Sequence, residues 1–235
     1  MIELHDVTYT YPNGVTAIRN LTLNIDSGVS ILIGPNGSGK TTLLKIMACI
    51  YKPQSGTVLI DGKDYWKSNR REQLMIRRNI VYVHEKPILF RGTVIENIMF
   101  PLLIRGYERK EAEIRANEIL RELGVENLGK RKRKELSAGE LQLVAFARAI
   151  VVNPKYLLLD EPTNTLDIEK RKIVEKYIRK LSQRNKRIII ASHDRLLAAG
   201  LGDRIIILEH GRLKEITTSS KILDEIKAFT SQTSI

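Results

Sequence analysis

The tightest constraint on this chain is Gly34-Pro35-Asn36-Gly37-Ser38-Gly39-Lys40-Thr41-Thr42, which fits the phosphate-loop pattern G-x-x-x-x-G-K-[ST]. The residues before it, Val29-Ser30-Ile31-Leu32-Ile33, form a short apolar run that reads as a buried strand. The residues after it, 41–50, can form a helix. Strand, glycine loop and helix are the setting this motif needs. Glycines let the backbone curl so that several N–H groups converge on an anion, and the helix N-terminus adds a positive dipole at the same spot. Lys40 supplies a point charge for the β- and γ-phosphates, and the Thr41 hydroxyl can ligate Mg²⁺. An α/β fold follows.

Composition narrows the setting. The 235 residues suffice for one α/β domain or a domain with a small subdomain, and 43% hydrophobic residues allow a large core. Cys49 is the one cysteine, which excludes an internal disulfide framework and suits a reducing compartment. No apolar run approaches the roughly 20 residues of a membrane helix, and Met1 to Asp6 lack the basic and apolar regions of a signal peptide. The expectation is a soluble, cytoplasmic polypeptide. A net charge of +12 could serve nucleic acid, anionic headgroups or a nucleotide. The basic residues are widely spread, and the dense run Lys130 to Lys134 reads as a solvated loop. With aromatics at 6% and no RNA-binding signature, no direct nucleic-acid partner is expected.

In chain order, residues 2–10 and 18–25 read as strands, with Leu21, Leu23 and Ile25 alternating with polar neighbours. Tyr11-Pro12-Asn13-Gly14 between them is a turn. Tyr11 either caps the core or offers its ring to a nucleobase, and spacing alone favours the core. Residues 57–61 and 79–83 read as strands and 67–78 as a basic helix. His84 to Gly92 is a loop with an apolar set, Ile88, Leu89 and Phe90, exposed for no structural reason. Residues 93–123 read as helical, with Ala112, Ala116, Ile119, Leu120 and Leu123 on one face and Gly124 as the stop. No strand signal appears from 92 to 153, so about 92–152 is expected to form a helical subdomain.

Leu136-Ser137-Ala138-Gly139-Glu140 opens the next helix, with Ser137 and Glu140 spaced as a capping box. Tyr156-Leu157-Leu158-Leu159 reads as a strand buried on both faces and ends in Asp160-Glu161-Pro162. A helix at 168–184 and a buried strand at 187–191 follow, the strand ending in Ser192-His193-Asp194. A hairpin over 204–216 and a helix at 219–230 complete the chain. Beside a phosphate loop, a strand ending in Asp-Glu has a specific chemical use. Asp160 can hold Mg²⁺ through its waters, and Glu161 is placed to polarise a water at the γ-phosphate. His193 stands at another strand end, where ligands bind in parallel α/β sheets. His5, His84 and His210 are scattered and form no metal pattern with Cys49.

Taken together, these motifs resemble the ATP-binding cassette family over nearly the whole chain. The resemblance implies an α/β phosphate-loop core with an antiparallel β subdomain and a helical subdomain, in one cassette spanning residues 1–235. Gly34 to Thr42 looks like the Walker A loop, and Leu136 to Glu140 like the signature usually written LSGGQ. Leu157 to Asp160 looks like Walker B, with Glu161 in the place of the catalytic glutamate. Thr165-Leu166-Asp167 is similar to the D-loop, and His193 to the switch histidine. Tyr11 matches the aromatic that stacks on adenine, against the preference from spacing. Two positions depart from the family pattern. The signature reads LSAGE, placing the Ala138 Cβ near where backbone must approach phosphate. Glu85 stands where the family commonly has glutamine; its carboxylate can replace that amide oxygen as a hard ligand for Mg²⁺.

The implied activity is ATP hydrolysis with ATP and Mg²⁺ bound. Each ATP is clamped between the Walker A loop of one copy and the signature of the other in an ATP-dependent homodimer. The implied partners are transmembrane permease subunits and, through them, a solute-binding protein, with the cassette peripheral on the cytoplasmic face of the membrane. The segment Phe100 to Gly106 looks most similar to importers of small substrates, tungstate- or molybdate-type anions among them. The rival is a soluble assembly cassette such as those of iron–sulfur cluster machinery.

Overall fold

The computed structural model describes residues 1–26 and 28–232. In chain order its elements are β1 (Ile2–Thr10), β2 (Thr16–Ile25), β3 (Val29–Ile33), α1 (Lys40–Met47), β4 (Ser55–Ile60), β5 (Lys63–Asp64), α2 (Arg70–Arg78), β6 (Ile80–Val83), α3 (Val94–Leu103), α4 (Arg109–Glu122), α5 (Ala138–Ile150), β7 (Tyr156–Asp160), α6 (Ile168–Ser182), β8 (Arg187–Ala191), α7 (Arg195–Leu201), β9 (Arg204–Glu209), β10 (Arg212–Thr217) and α8 (Ser219–Gln232).

Among the described residues the strands form two sheets, ordered β2-β1-β4-β5 and β10-β9-β3-β8-β7-β6. The first is antiparallel throughout. In the second, β9, β3, β8, β7 and β6 run parallel, and β10 closes one edge as the antiparallel arm of a hairpin. The apolar runs of β3, β7 and β8 are explained by this arrangement, because both faces of these strands are buried. Ile31, Leu157, Leu159, Ile188 and Ile190 face a core shared with α3 to α7. Leu32, Leu158 and Ile189 face the other way, into a second core with β1, β2 and α1. The helix that follows the glycine loop is therefore sandwiched between the two sheets, with Leu43, Leu44, Ile46 and Met47 fully buried. Its N-terminus is fixed at the carboxyl edge of the parallel sheet, where open α/β folds place their ligands.

The strand of residues 18–25 shows the expected alternation: Leu21, Leu23 and Ile25 are buried and their neighbours exposed. The expected single helix over 93–123 is instead two. Gly106, at φ +91°, takes the left-handed conformation that stops α3. Its N–H donates to the Leu103 carbonyl (3.0 Å) and that of Tyr107 to the Leu102 carbonyl (3.2 Å), and α4 starts only at Arg109. Between β6 and β7 the described residues contain helices and turns, with a single isolated bridge between Thr93 and Lys132. The apolar set in the loop after β6 divides: Leu89 is buried at 3% exposure, whereas Ile88 at 70% and Phe90 at 50% are exposed.

Candidate functional site

Gly39 caps α1 at φ +103°, and a Cβ there would lie 2.6 Å from the Ala17 carbonyl oxygen. Only glycine allows the loop to fold this closely under β2. The loop then delivers Lys40 and Thr41 as the first residues of α1, where helix N–H groups lack intrahelical acceptors. The Lys40 ammonium donates to the carbonyls of Gly34 (2.7 Å) and Pro35 (3.0 Å), curling over its own loop. Burial lowers its pKa, while the nearby carboxylates of Glu161 and Asp160 pull it back up. The Ser38 hydroxyl is buried and has no hydrogen-bond partner among the described residues. A cradle with a buried cation, free helix amides and an unpaired hydroxyl fits a polyphosphate.

Behind the loop, the Thr41 hydroxyl donates to Asp160 Oδ1 (2.9 Å). The other oxygen, Oδ2, accepts from the Tyr82 hydroxyl on the neighbouring strand β6 (2.8 Å). Burial and the adjacent Asp160 carboxylate push the Tyr82 phenol up, so it remains a donor. A hydroxyl and a buried carboxylate side by side are the hard oxygen donors that suit Mg²⁺.

Glu161 begins the turn after β7 in a left-handed conformation, φ +47°, with its N–H donating to the Ala191 carbonyl (2.9 Å). Its carboxylate is gripped from the end of β8. Oε1 accepts from the His193 N–H (3.1 Å) and lies 2.9 Å from His193 Nδ1, and Oε2 accepts from the Ser192 hydroxyl (3.2 Å). A carboxylate oxygen accepts, so a hydrogen bond between Nδ1 and Oε1 is made with the ring proton on Nδ1.

These groups share one cleft of about 460 Å³, lined by Tyr11, Asn36, Gly37, Gly39, Lys40, Thr41, Thr42, Glu85, Glu161 and His193. Gly34, Pro35 and Ser38 form the loop behind it, and Asp160 stands behind Thr41. Tyr11 stands between the cleft and a cluster of tyrosines. Its hydroxyl is 2.7 Å from that of Thr42 and its ring borders the cleft. The same ring packs edge-on against Tyr9, centroids 5.1 Å apart, and Tyr9 stacks on Tyr51 at 5.0 Å. Glu85 is exposed at the rim.

The segment Leu136 to Glu140 lies apart: none of its residues lines the cleft. Ser137 caps α5 with the expected reciprocal bonds to Glu140, and Arg131 donates to Glu140 Oε1 (3.2 Å). The Ser137 bonds hold the Glu140 carboxyl below its ordinary value, despite some burial. Ala138 is exposed in the first turn, and a Cβ at Gly139 would meet the Thr165 carbonyl at 3.0 Å. The signature segment thus packs on the start of α6, which Asp167 caps by accepting from the Lys170 N–H (2.9 Å). Ser192 and Tyr82 escape the sequence reading. Ser192 adjoins a recognised histidine, but nothing in the local pattern singles out Tyr82.

The family model described as ABC transporter matches residues 18–164. The tungstate uptake system ATP-binding protein TupC of Peptoclostridium acidaminophilum is 39% identical over 204 residues, covering 86% of this chain and 92% of its own. The phosphate import ATP-binding protein PstB 2 of Natronomonas pharaonis is 34% identical over 226 residues, covering 91% of this chain and 78% of its own. Among solved structures, the dimeric post-hydrolysis state of the ATP-binding cassette MJ0796, bound to ADP and Pi, matches with a TM-score of 0.86 at 34% identity, covering 93% of this chain and 99% of that one.

Proposed function

The chain belongs to the ABC transporter family, whose cassettes bind and hydrolyse ATP, and from that premise we propose that it is the ATPase subunit of a membrane importer, working as an ATP-dependent homodimer docked on a permease. The observation that carries this reading is the grip of Ser192 and His193 on the Glu161 carboxylate, at the mouth of a cleft floored by Lys40 and Thr41.

In this reading the Tyr11 ring takes the adenine and residues 34–42 take the phosphates. Lys40 exchanges its contacts with the loop carbonyls for phosphate oxygens, an exchange helped by the modest cost of releasing neutral acceptors. Thr41 and Asp160, with Glu85 from the rim, would hold Mg²⁺. Once bound, that ion neutralises charge on the triphosphate oxygens. Glu161 accepts a proton from the attacking water, and His193 orients Glu161 through Nδ1. Leu136 to Glu140 lie outside the cleft, which supports their serving the ATP of a second copy, with Asp167 beside them at the interface.

A groove of about 730 Å³ between the loop after β6 and helices α3 and α5 supports permease docking. Exposed Ile88, Phe90, Phe100 and Ile104 line it with Arg105 and Arg148. No described helix is long and apolar enough to cross a membrane; the relatives named as ATP-binding proteins of uptake systems support a pore formed by another chain, with the cassette peripheral on the cytoplasmic face. The relatives named for tungstate uptake and phosphate import support a small oxyanion as the cargo, carried by a solute-binding protein to the permease.

Two experiments test this. Glu161→Gln keeps ATP binding, lowers turnover by about 10²–10⁴-fold and persists as a dimer with ATP in light scattering. Undiminished hydrolysis removes Glu161 from the role. Copurification from native membranes recovers a multi-spanning protein; recovery only from the soluble fraction with assembly proteins overturns the transporter reading.

A further inference from the structure

Asp160 is 2% exposed, and a carboxylate so far from water needs a donor on each oxygen. Among the described residues those donors are two hydroxyls, Thr41 on Oδ1 and Tyr82 on Oδ2. They are not equivalent. If Thr41 ligates a metal, as the proposed function requires, it does so through an oxygen lone pair while its proton stays on Asp160 Oδ1, and Tyr82 is the donor that serves the carboxylate alone. The Tyr82 ring is itself fixed. Tyr82 pairs with Leu158 across the parallel β6–β7 ladder, which puts it on the same face as Asp160, two residues further along β7. His84 packs edge-on against the ring, centroids 6.1 Å apart.

From this geometry we infer that Tyr82 is a positioning residue for the metal site, holding Asp160 Oδ2 so that Oδ1 faces the ion. This inference rests on the proposed nucleotide and metal site. Without the phenol, a desolvated oxygen is left unpaired, and the carboxylate is free to rotate out of the orientation that aims Oδ1 at the ion. Outer-shell partners of this kind are worth about 10–100-fold in metal affinity.

The test uses the full chain, with Mn²⁺ as the probe, read by electron paramagnetic resonance on the ATP complex in a Glu161→Gln background. Tyr82→Phe keeps the ring and deletes the donor. It is expected to weaken Mn²⁺ binding about tenfold or more, leaving metal-free ATP affinity unchanged. Tyr82→Met, which replaces the ring as well, gives the same loss. Asp160→Asn also weakens Mn²⁺ binding, and adding Tyr82→Phe to it costs nothing further, because the phenol acts only through that carboxylate. Additive losses, or a loss in Tyr82→Met alone, trace to packing and overturn the inference. Unchanged Mn²⁺ affinity in Tyr82→Phe, with a loss in Asp160→Asn, overturns the inference and leaves the proposed site standing. Unchanged affinity in Asp160→Asn overturns both.

Discussion

Tyr11 is fixed by its hydroxyl contact to Thr42 and by its edge-on packing against Tyr9 and Tyr51. This pins the ring beside the phosphate loop before any base arrives, so stacking needs little ordering. Tyr11→Ala is expected to weaken ATP binding by about 1–3 kcal/mol in titration calorimetry, whereas Tyr11→Phe keeps most of the affinity. Should Tyr11→Ala instead lower the nucleotide-free melting temperature with affinity intact, the ring belongs to the core. At this scale the sequence is legible where the chemistry sits in adjacent residues. Lys40 and Thr41 stand at the end of one loop, and Asp160 and Glu161 at the end of one strand. Tyr82 is invisible for the opposite reason. It lies 78 positions from Asp160, and only the register of β6 on β7 brings the two together. Ala138 is exposed on the first turn of α5, open to a second copy, whereas Gly139 is held against the Thr165 carbonyl.

Between elements, α6 and α7 are tied at the residue after His193. Asp194 caps α7 by accepting from the N–H groups of Leu196 (2.8 Å) and Leu197 (3.0 Å), and it pairs with Arg171 of α6 (2.7 Å). Burial pushes the Asp194 carboxyl up, but the Leu197 amide and the Arg171 guanidinium outweigh it, and the group titrates below the usual carboxylate range. A depressed pKa means the stabilisation is complete above the ordinary carboxylate value and is lost as pH falls through the lowered one. Asp194→Ala is therefore expected to cost about 1–2 kcal/mol at neutral pH, with the melting-temperature gap to wild type narrowing in acid. Asp194→Asn, which keeps a capping oxygen, costs less. A gap that holds constant with pH would remove the charge from the account. Most elements can be found from periodicity, because the buried strands and amphipathic helices carry strong patterns. The break at Gly106 is where the mostly apolar α3 gives way to the charged start of α4, and reading 93–123 as one helix passes over both that shift and the glycine, whose left-handed conformation ends α3. The two-residue strand β5 is too short to carry any periodicity at all.

At the scale of the molecule, the arrangement that matters is the separation of Lys40, inside the cleft, from Ser137, exposed outside it on the first turn of α5. In the proposed dimer each complete site draws one part from each copy. The two parts are then separable by genetics. Chains carrying Lys40→Ala fail in both sites of their own dimers, as do chains carrying Ser137→Arg. When the two are mixed, each hybrid places both lesions in one site and leaves the other intact. Equal amounts of the two inactive chains should therefore recover roughly a quarter of wild-type hydrolysis, the share set by random pairing in a twofold dimer, in a phosphate-release assay. A mixture as silent as its parents would mean that the sites work only as a pair or are not shared. Two alleles that are null alone would thus complement each other within a single gene, and either one expressed beside the wild type would poison part of the pool.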